Sequence, residues 1–145
     1  MEDSKQYRVE SAPAIAVTAT TDGEMLLVVD DDNAVRSFVC LASRRLGYQV
    51  VEASNGVEAL KQLEENQGKI SLVLTDINMP LMNGLELVRA LKKRLTVPAI
   101  AVMSGRLDPA ILSSLQAEGV TALLGKPFSS EALRLTLVKA VMAKR

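Results

Sequence analysis

Short apolar runs, recurring along the chain and separated by stretches of helical spacing, constrain this fold more than any other feature. Met25-Leu26-Leu27-Val28-Val29 is continuous and ends in acid, as a strand buried on both faces does. Val35, Phe38, Val39, Ala42 and Leu46 follow at helical spacing, and Gly47 stops that helix. Gln49-Val50-Val51-Glu52 reads as a second strand, and Val57, Leu60 and Leu63 as a second helix ending before Gly68. Ile70 to Thr75 is a third strand, again meeting acid at Asp76, and Leu85, Val88 and Leu91 define a third helix. Pro98 opens the strand Ala99–Met103, and Pro109 sits early in a helix carrying Ile111, Leu112 and Leu115. Thr121–Gly125 is the last strand, and Ser129 or Ser130 caps a helix with Leu133, Leu137 and Val141.

Five strands alternating with five helices, with runs this short and apolar, give an α/β protein whose parallel sheet is covered on both faces. Right-handed crossovers leave few topologies, and the doubly wound, flavodoxin-like order 2-1-3-4-5 is expected. Residues 1–24 lack this pattern; apart from Ala14-Ile15-Ala16-Val17 they are poor in apolar groups and read as a tail or linker before a domain spanning 25–145.

Composition removes several function classes. Lys+Arg and Asp+Glu both number 17, so no net field draws the chain to nucleic acid or a membrane surface. Aromatics make up 3%, which argues against a base-stacking platform. Cys40 is alone, so a reducing compartment is expected, and the absence of a long apolar run excludes a transmembrane helix. The start Met-Glu-Asp is unlike a secretory leader, and a cytoplasmic location is expected.

In open α/β sheets, ligands bind beyond the carboxyl ends of the strands near the topological switch point. The residues there are Asp30-Asp31-Asp32, Asp76, Ser104 and Lys126, far apart in sequence but predicted to share one rim. Carboxylates gathered on a rim repel one another and are costly to bury without a compensating cation. Lys126 supplies one positive charge, and a hard divalent ion with all-oxygen ligands, magnesium, supplies the rest. Asp32 has a simpler reading as a helix N-terminal acid.

Four segments carry a resemblance: Leu26–Asp32, Leu74–Gly84, Met103-Ser104-Gly105 and Gly125-Lys126-Pro127-Phe128. In order and spacing they closely resemble the receiver domain of two-component response regulators. The resemblance implies that Asp76 accepts a phosphoryl group from a phosphohistidine on a sensor histidine kinase or a histidine phosphotransfer protein. It further implies that Asp31, Asp76 and the backbone carbonyl of Asn78 bind Mg²⁺ directly and that Asp30 acts through water. Lys126 and the Ser104 hydroxyl would hold phosphoryl oxygens, with the Gly105 backbone nearby and a cis Lys126–Pro127 bond. Phosphorylation adds charge and acceptors, and pulling Ser104 toward it would switch the face made by the fourth helix, fifth strand and fifth helix. Leu123 departs from the family, in which that position is usually aromatic and part of the switch.

On this reading the chain is a phosphoacceptor that promotes its own phosphorylation and dephosphorylation rather than an enzyme. It is expected to act as a stand-alone regulator or as the C-terminal receiver of a hybrid histidine kinase, without direct nucleic-acid binding or membrane insertion. An aspartate-based phosphohydrolase would want a second acid two residues after the nucleophile, and Asn78 stands there. A purely interaction-based module would lack the acids or the lysine, and all are present.

Overall fold

The computed structural model describes residues 23–106 and 108–144. Five strands, β1 (Met25–Val29), β2 (Gln49–Ala53), β3 (Ile70–Asp76), β4 (Ala99–Ser104) and β5 (Ala122–Gly125), form one parallel sheet in the order β2-β1-β3-β4-β5. Between and after them run α1 (Asn33–Arg45), α2 (Gly56–Glu65), α3 (Gly84–Lys92), α4 (Pro109–Ala117) and α5 (Ser130–Lys144). The expected flavodoxin-like order and the five helices, four of them crossovers, are all present.

Strand periodicity divides the core in two. Leu26 and Val28 of β1 point into one apolar cluster with Val39 of α1 and Leu133 and Leu137 of α5. Leu27 and Val29, one residue out of phase, point into another with Leu63 of α2, Leu87 and Leu91 of α3 and Leu115 of α4. The sheet is therefore covered by two helices on one face and three on the other, which is why β1 needs no polar residue between Leu26 and Val29. Each fully buried leucine or valine contributes about 1.5–3 kcal/mol by leaving water.

Helix starts follow the local chemistry. The Asp32 side chain caps α1 by accepting from the Ala34 and Val35 amides, as its N-terminal reading required. Asn83 and Glu86 form a reciprocal capping box on α3, Asp108 caps α4 ahead of Pro109, and the Ser129 hydroxyl accepts from Ala132 N–H at the start of α5.

Some expected boundaries move. Asp76 and Ser104 are the last residues of β3 and β4 rather than the first beyond them, because ladder pairing continues through Asp76↔Met103 and Ser104↔Gly125. Thr121 falls outside β5, which begins at Ala122 where pairing with Ala101 starts. Phe38 and Val57, read as core-facing helix positions, are both substantially exposed. Phe38 turns along the protein surface to meet the Phe128 ring, at a centroid distance of 6.0 Å. Of the proposed tail 1–24, residues 1–22 lie outside the described residues. Gly23 and Glu24 are bonded to the domain: Gly23 N–H to Gly47 O at 3.3 Å, and the Glu24 carboxylate accepting from Ser71 Oγ at 2.9 Å.

Candidate functional site

The carboxyl ends of β1, β3 and β5 bring Asp30, Asp76 and Lys126 into direct contact. The Lys126 ammonium lies 3.0 Å from Asp30 Oδ2 and 3.2 Å from Asp76 Oδ2, and so bridges two carboxylates separated by 96 and 50 residues of chain from it. Asp30 is fully buried and Asp76 nearly so. Asp31 stands beside them on the exposed side of the rim. One carboxylate oxygen from each of Asp30, Asp31 and Asp76 lies within 4.8 Å of the others.

Each acid is held by its own element. Asp30 Oδ1 accepts from Asp32 N–H at 2.9 Å, and its backbone N–H is bonded to Ala53 O of β2 at 3.1 Å. Its carbonyl accepts from the Arg36 guanidinium at 2.6 Å, and Arg36 is itself held by Glu52 and Asn33. Asp76 Oδ1 accepts from Ile77 N–H at 2.8 Å, which leaves Oδ2 facing Lys126. The Thr75 hydroxyl donates to Asp76 O at 2.9 Å, and Gly84 N–H donates to Ile77 O at 2.8 Å. The strand end is thus bonded to the first residue of α3.

Burial pushes the Asp76 carboxyl above the usual carboxylate range; the Lys126 charge opposes this without cancelling it, and the Asp30 charge adds to it. For Lys126, burial works against the charged form, but the hydrogen bond to Asp30 and the charges of Asp76 and Asp30 outweigh it. Its ammonium holds its proton more tightly than an ordinary lysine. One half-buried cation therefore faces two buried anions with a third beside them, an arrangement short of positive charge.

The donor set suits a hard divalent ion. An octahedral magnesium with bonds of about 2.1 Å places its ligand oxygens roughly 3 to 4.2 Å apart. The trio, already within 4.8 Å, would need to close by up to about 2 Å to fit such an ion. Both Asp30 oxygens are already engaged, one with an amide and one with Lys126, so it is the least free of the three for direct contact.

The remaining sequence-predicted residues are arranged around this centre. Ser104 is buried at the end of β4, and its carbonyl accepts from Lys126 N–H at 2.8 Å. Its hydroxyl turns to its own loop, donating to Arg106 O at 2.7 Å and accepting from Arg106 N–H at 3.1 Å. Gly105 is exposed with open space where a Cβ would stand, and Asn78 is exposed just past the end of β3. The Lys126–Pro127 bond is cis. Leu123 pairs with Val102 in the ladder and packs, half-buried, against the cluster beneath α2, α3 and α4.

Two contributors were not singled out in the sequence. Arg36 had a signal: a cation in the first turn of a helix opposes the dipole and so calls for a specific partner. Gly84 entered only as the last residue of the segment Leu74–Gly84. A Cβ there would lie 2.2 Å from Asp76 O and 2.8 Å from Ile77 Cα. Only glycine lets α3 begin this close to the strand end, and no local signal distinguishes that role from a turn glycine.

The response regulator receiver domain family matches residues 26–138. The chain is 36% identical to the sensor kinase CckA of Brucella abortus (strain 2308) over 142 residues, 98% of this chain but 14% of that protein. An alignment of that length in 145 residues reaches residue 4 or earlier, well upstream of the family domain. It is 41% identical to a chemotaxis protein CheY homolog of Campylobacter jejuni subsp. jejuni serotype O:23/36 (strain 81-176), covering 75% of this chain and 85% of that one. A response regulator receiver domain protein from Clostridium thermocellum superposes with a TM-score of 0.76 at 27% identity, covering 83% of this chain and 96% of the other.

Proposed function

The chain belongs to the response regulator receiver domain family and is a receiver of two-component signalling, and from that premise we propose that Asp76 is its phosphoacceptor. The observation that carries the assignment is the Lys126 ammonium lying between Asp30 and Asp76 with Asp31 alongside. Of the three acids, Asp76 combines a tuned, buried carboxylate with a position at the strand end that a donor reaches.

In the transfer, an Asp76 oxygen attacks phosphorus, the P–N bond to the donor imidazole breaks, and the imidazole nitrogen keeps that electron pair and takes a proton. An acyl phosphate results. Such a transfer asks the protein for positioning and charge neutralisation. Ile77 N–H fixes the carboxylate plane, and Lys126 exchanges one carboxylate contact for a phosphoryl oxygen. Asp31, Asp76 and the Asn78 carbonyl would hold Mg²⁺, with Asp30 acting through water. When bound, the ion offsets the carboxylates and the incoming phosphoryl oxygens. The Gly105 amide lies beside the phosphoryl group.

The added charge of about −1.5 to −2 then competes for the Ser104 hydroxyl, which must leave its two bonds with Arg106 to reach it. That exchange moves the loop after β4 and biases the α4–β5–α5 face, with Leu123 in place of an aromatic ring. The donor is a sensor histidine kinase or a histidine phosphotransfer protein, and the setting is cytoplasmic. No helix among the described residues is long and apolar enough to cross a membrane. The chain spans about a seventh of the sensor kinase it matches along nearly its whole length, which favours the receiver of a hybrid kinase as its context.

The test is incubation with phosphoramidate and Mg²⁺ followed by intact mass. A single base-labile phosphate adduct is expected, lost in Asp76→Asn and on chelation of the metal. An adduct that persists in Asp76→Asn assigns the acceptor elsewhere.

A further inference from the structure

Granted the magnesium site described above, we infer that Arg36 is a positioning residue for it: the guanidinium fixes the Asp30–Asp31 peptide and thereby keeps the Asp31 carboxylate beside Asp30 and Asp76. Its nitrogens engage three separate acceptors. Nη1 donates to Asp30 O just past β1 at 2.6 Å, and Nη2 to Asn33 Oδ1 at the start of α1 at 2.7 Å. Nε donates to Glu52 Oε1 on the edge strand β2 at 3.1 Å. Glu52 is steadied in turn, its other oxygen lying 3.9 Å from the Arg44 guanidinium.

Asp31 depends on this hold more than its neighbours do. The Asp30 carboxylate is bonded by Asp32 N–H and Lys126, and that of Asp76 by Ile77 N–H and Lys126. The exposed Asp31 carboxylate has neither a hydrogen bond nor an ion pair among the described residues. Its place within 4.8 Å of the other two therefore comes from the backbone. A peptide unit is planar, so fixing the Asp30 carbonyl also fixes Asp31 N–H and the Asp31 Cα. The Asp32 N–H bond to Asp30 Oδ1 pins the peptide that follows. With Arg36 on the peptide before it, Asp31 is held from both sides.

A simpler reading makes Arg36 and Glu52 a surface ion pair, which contributes little. That accounts for the Nε bond and not for the rest. The Arg36 side chain is only 17% exposed, and it stands in the first turn of a helix, where the dipole disfavours a cation. Its shortest bond is charge-assisted and goes to a carbonyl at the strand end rather than to the acid. The rigid planar fork suits three acceptors lying in different directions, which a lysine ammonium on a flexible stem does not match. Charge alone predicts the opposite behaviour. A cation near the rim repels Mg²⁺, so removing it should tighten metal binding. Removing a positioning residue should weaken it, and the two readings differ in sign.

The test is Mg²⁺ titration of the full chain, followed through the amide signals of Asp31 and Asp76 under conditions in which every variant is folded. Arg36→Met should raise the Kd by about 10-fold or more, the usual scale for groups that orient a metal ligand from behind. Arg36→Lys keeps the charge but loses the fork, and should also raise the Kd, by less; it decides the matter if Arg36→Met does not fold. Leu63→Val, in the core near the end of α2, lowers stability away from the rim and should leave the Kd unchanged. Acceptance of phosphate from phosphoramidate by Arg36→Met should recover as Mg²⁺ is raised, so that the metal dependence shifts and the limiting rate does not. An unchanged or lowered Kd in Arg36→Met, a parent-like Kd in Arg36→Lys, or a rise in Leu63→Val as large as that in Arg36→Met overturns the role of Arg36. A parent chain that binds no Mg²⁺ overturns the magnesium site itself, and this role with it.

Discussion

Gly84→Ala isolates how tightly the strand end of Asp76 is set against α3. The added Cβ would sit 2.2 Å from Asp76 O and 2.8 Å from Ile77 Cα, both backbone atoms, so no side-chain rotation relieves it. The gap must open by roughly 1 Å, and overpacking of that kind costs about 1–3 kcal/mol. The Gly84 N–H to Ile77 O bond of 2.8 Å is strained in the process, at about 1 kcal/mol. Intrinsic propensity pulls the other way, since alanine is favoured over glycine inside a helix by up to about 1 kcal/mol. The net expectation is a loss of about 2–3 kcal/mol, a fall in the urea midpoint of about 1–2 M at an unchanged slope. A displacement of about 1 Å at a reacting group costs on the order of 100-fold in rate, so acceptance of phosphate from phosphoramidate should fall by about that factor. Gly105→Ala is the control: nothing lies within 4 Å of its Cβ, and its stability should stay within about 0.5 kcal/mol of the parent. If Gly84→Ala and Gly105→Ala prove equally stable, the close approach does not position Asp76 and the reasoning fails.

Lys126→Met removes the cation between Asp30 and Asp76 and should destabilise the metal-free chain by about 3 kcal/mol, with Mg²⁺ restoring part of the loss in thermal denaturation. Asp76→Asn should do the opposite. A carboxyl whose pKa is raised by folding costs stability once ionised, so removing its charge raises the urea midpoint at pH 7 in chelator. Saturating Mg²⁺ at 100 times its Kd should add about 2.7 kcal/mol to the parent, and Asp31→Asn should abolish most of that gain; an undiminished gain would place the ion elsewhere. Cys40 and Tyr48 are raised by burial from 9.0 to about 11 and from 10.0 to about 12, with Glu52 and Glu24 respectively adding to the rise. Their stabilisation is complete below pH 9 and is lost as pH climbs through 11 and 12, so a urea midpoint that stays flat from pH 9 upward would contradict these environments.

The proposed phosphoryl acceptance at Asp76 and the proposed switch through Ser104 draw on different parts of the fold. The acceptor is set by contacts within and between strand ends, whereas the Ser104 hydroxyl is committed to Arg106 and has to change partners. Those two contacts are what a phosphoryl group would have to outcompete in the proposed switch.

The strand pattern was legible because both faces of β1, β3 and β4 are covered. Double burial removes polar residues from a strand, and their absence shows in a single sequence. The acids and Lys126 were legible for a related reason: charge at the end of an apolar run has few places to go in a doubly wound sheet. What remained hidden involves distance between segments remote in sequence. Phe38 has helical spacing but turns to Phe128 instead of the sheet, a choice fixed by where α5 begins. Gly84 looks like any turn glycine until α3 is laid against the end of β3, and Arg36 like any helix arginine until it meets the Asp30 carbonyl. The sequence by itself determined which residues stand on the rim, because side-chain polarity and strand period are local properties. Only the tertiary structure decided that one lysine spans two carboxylates and that no side chain fits at Gly84, because both depend on sub-ångström spacing between elements that meet only when the sheet is assembled.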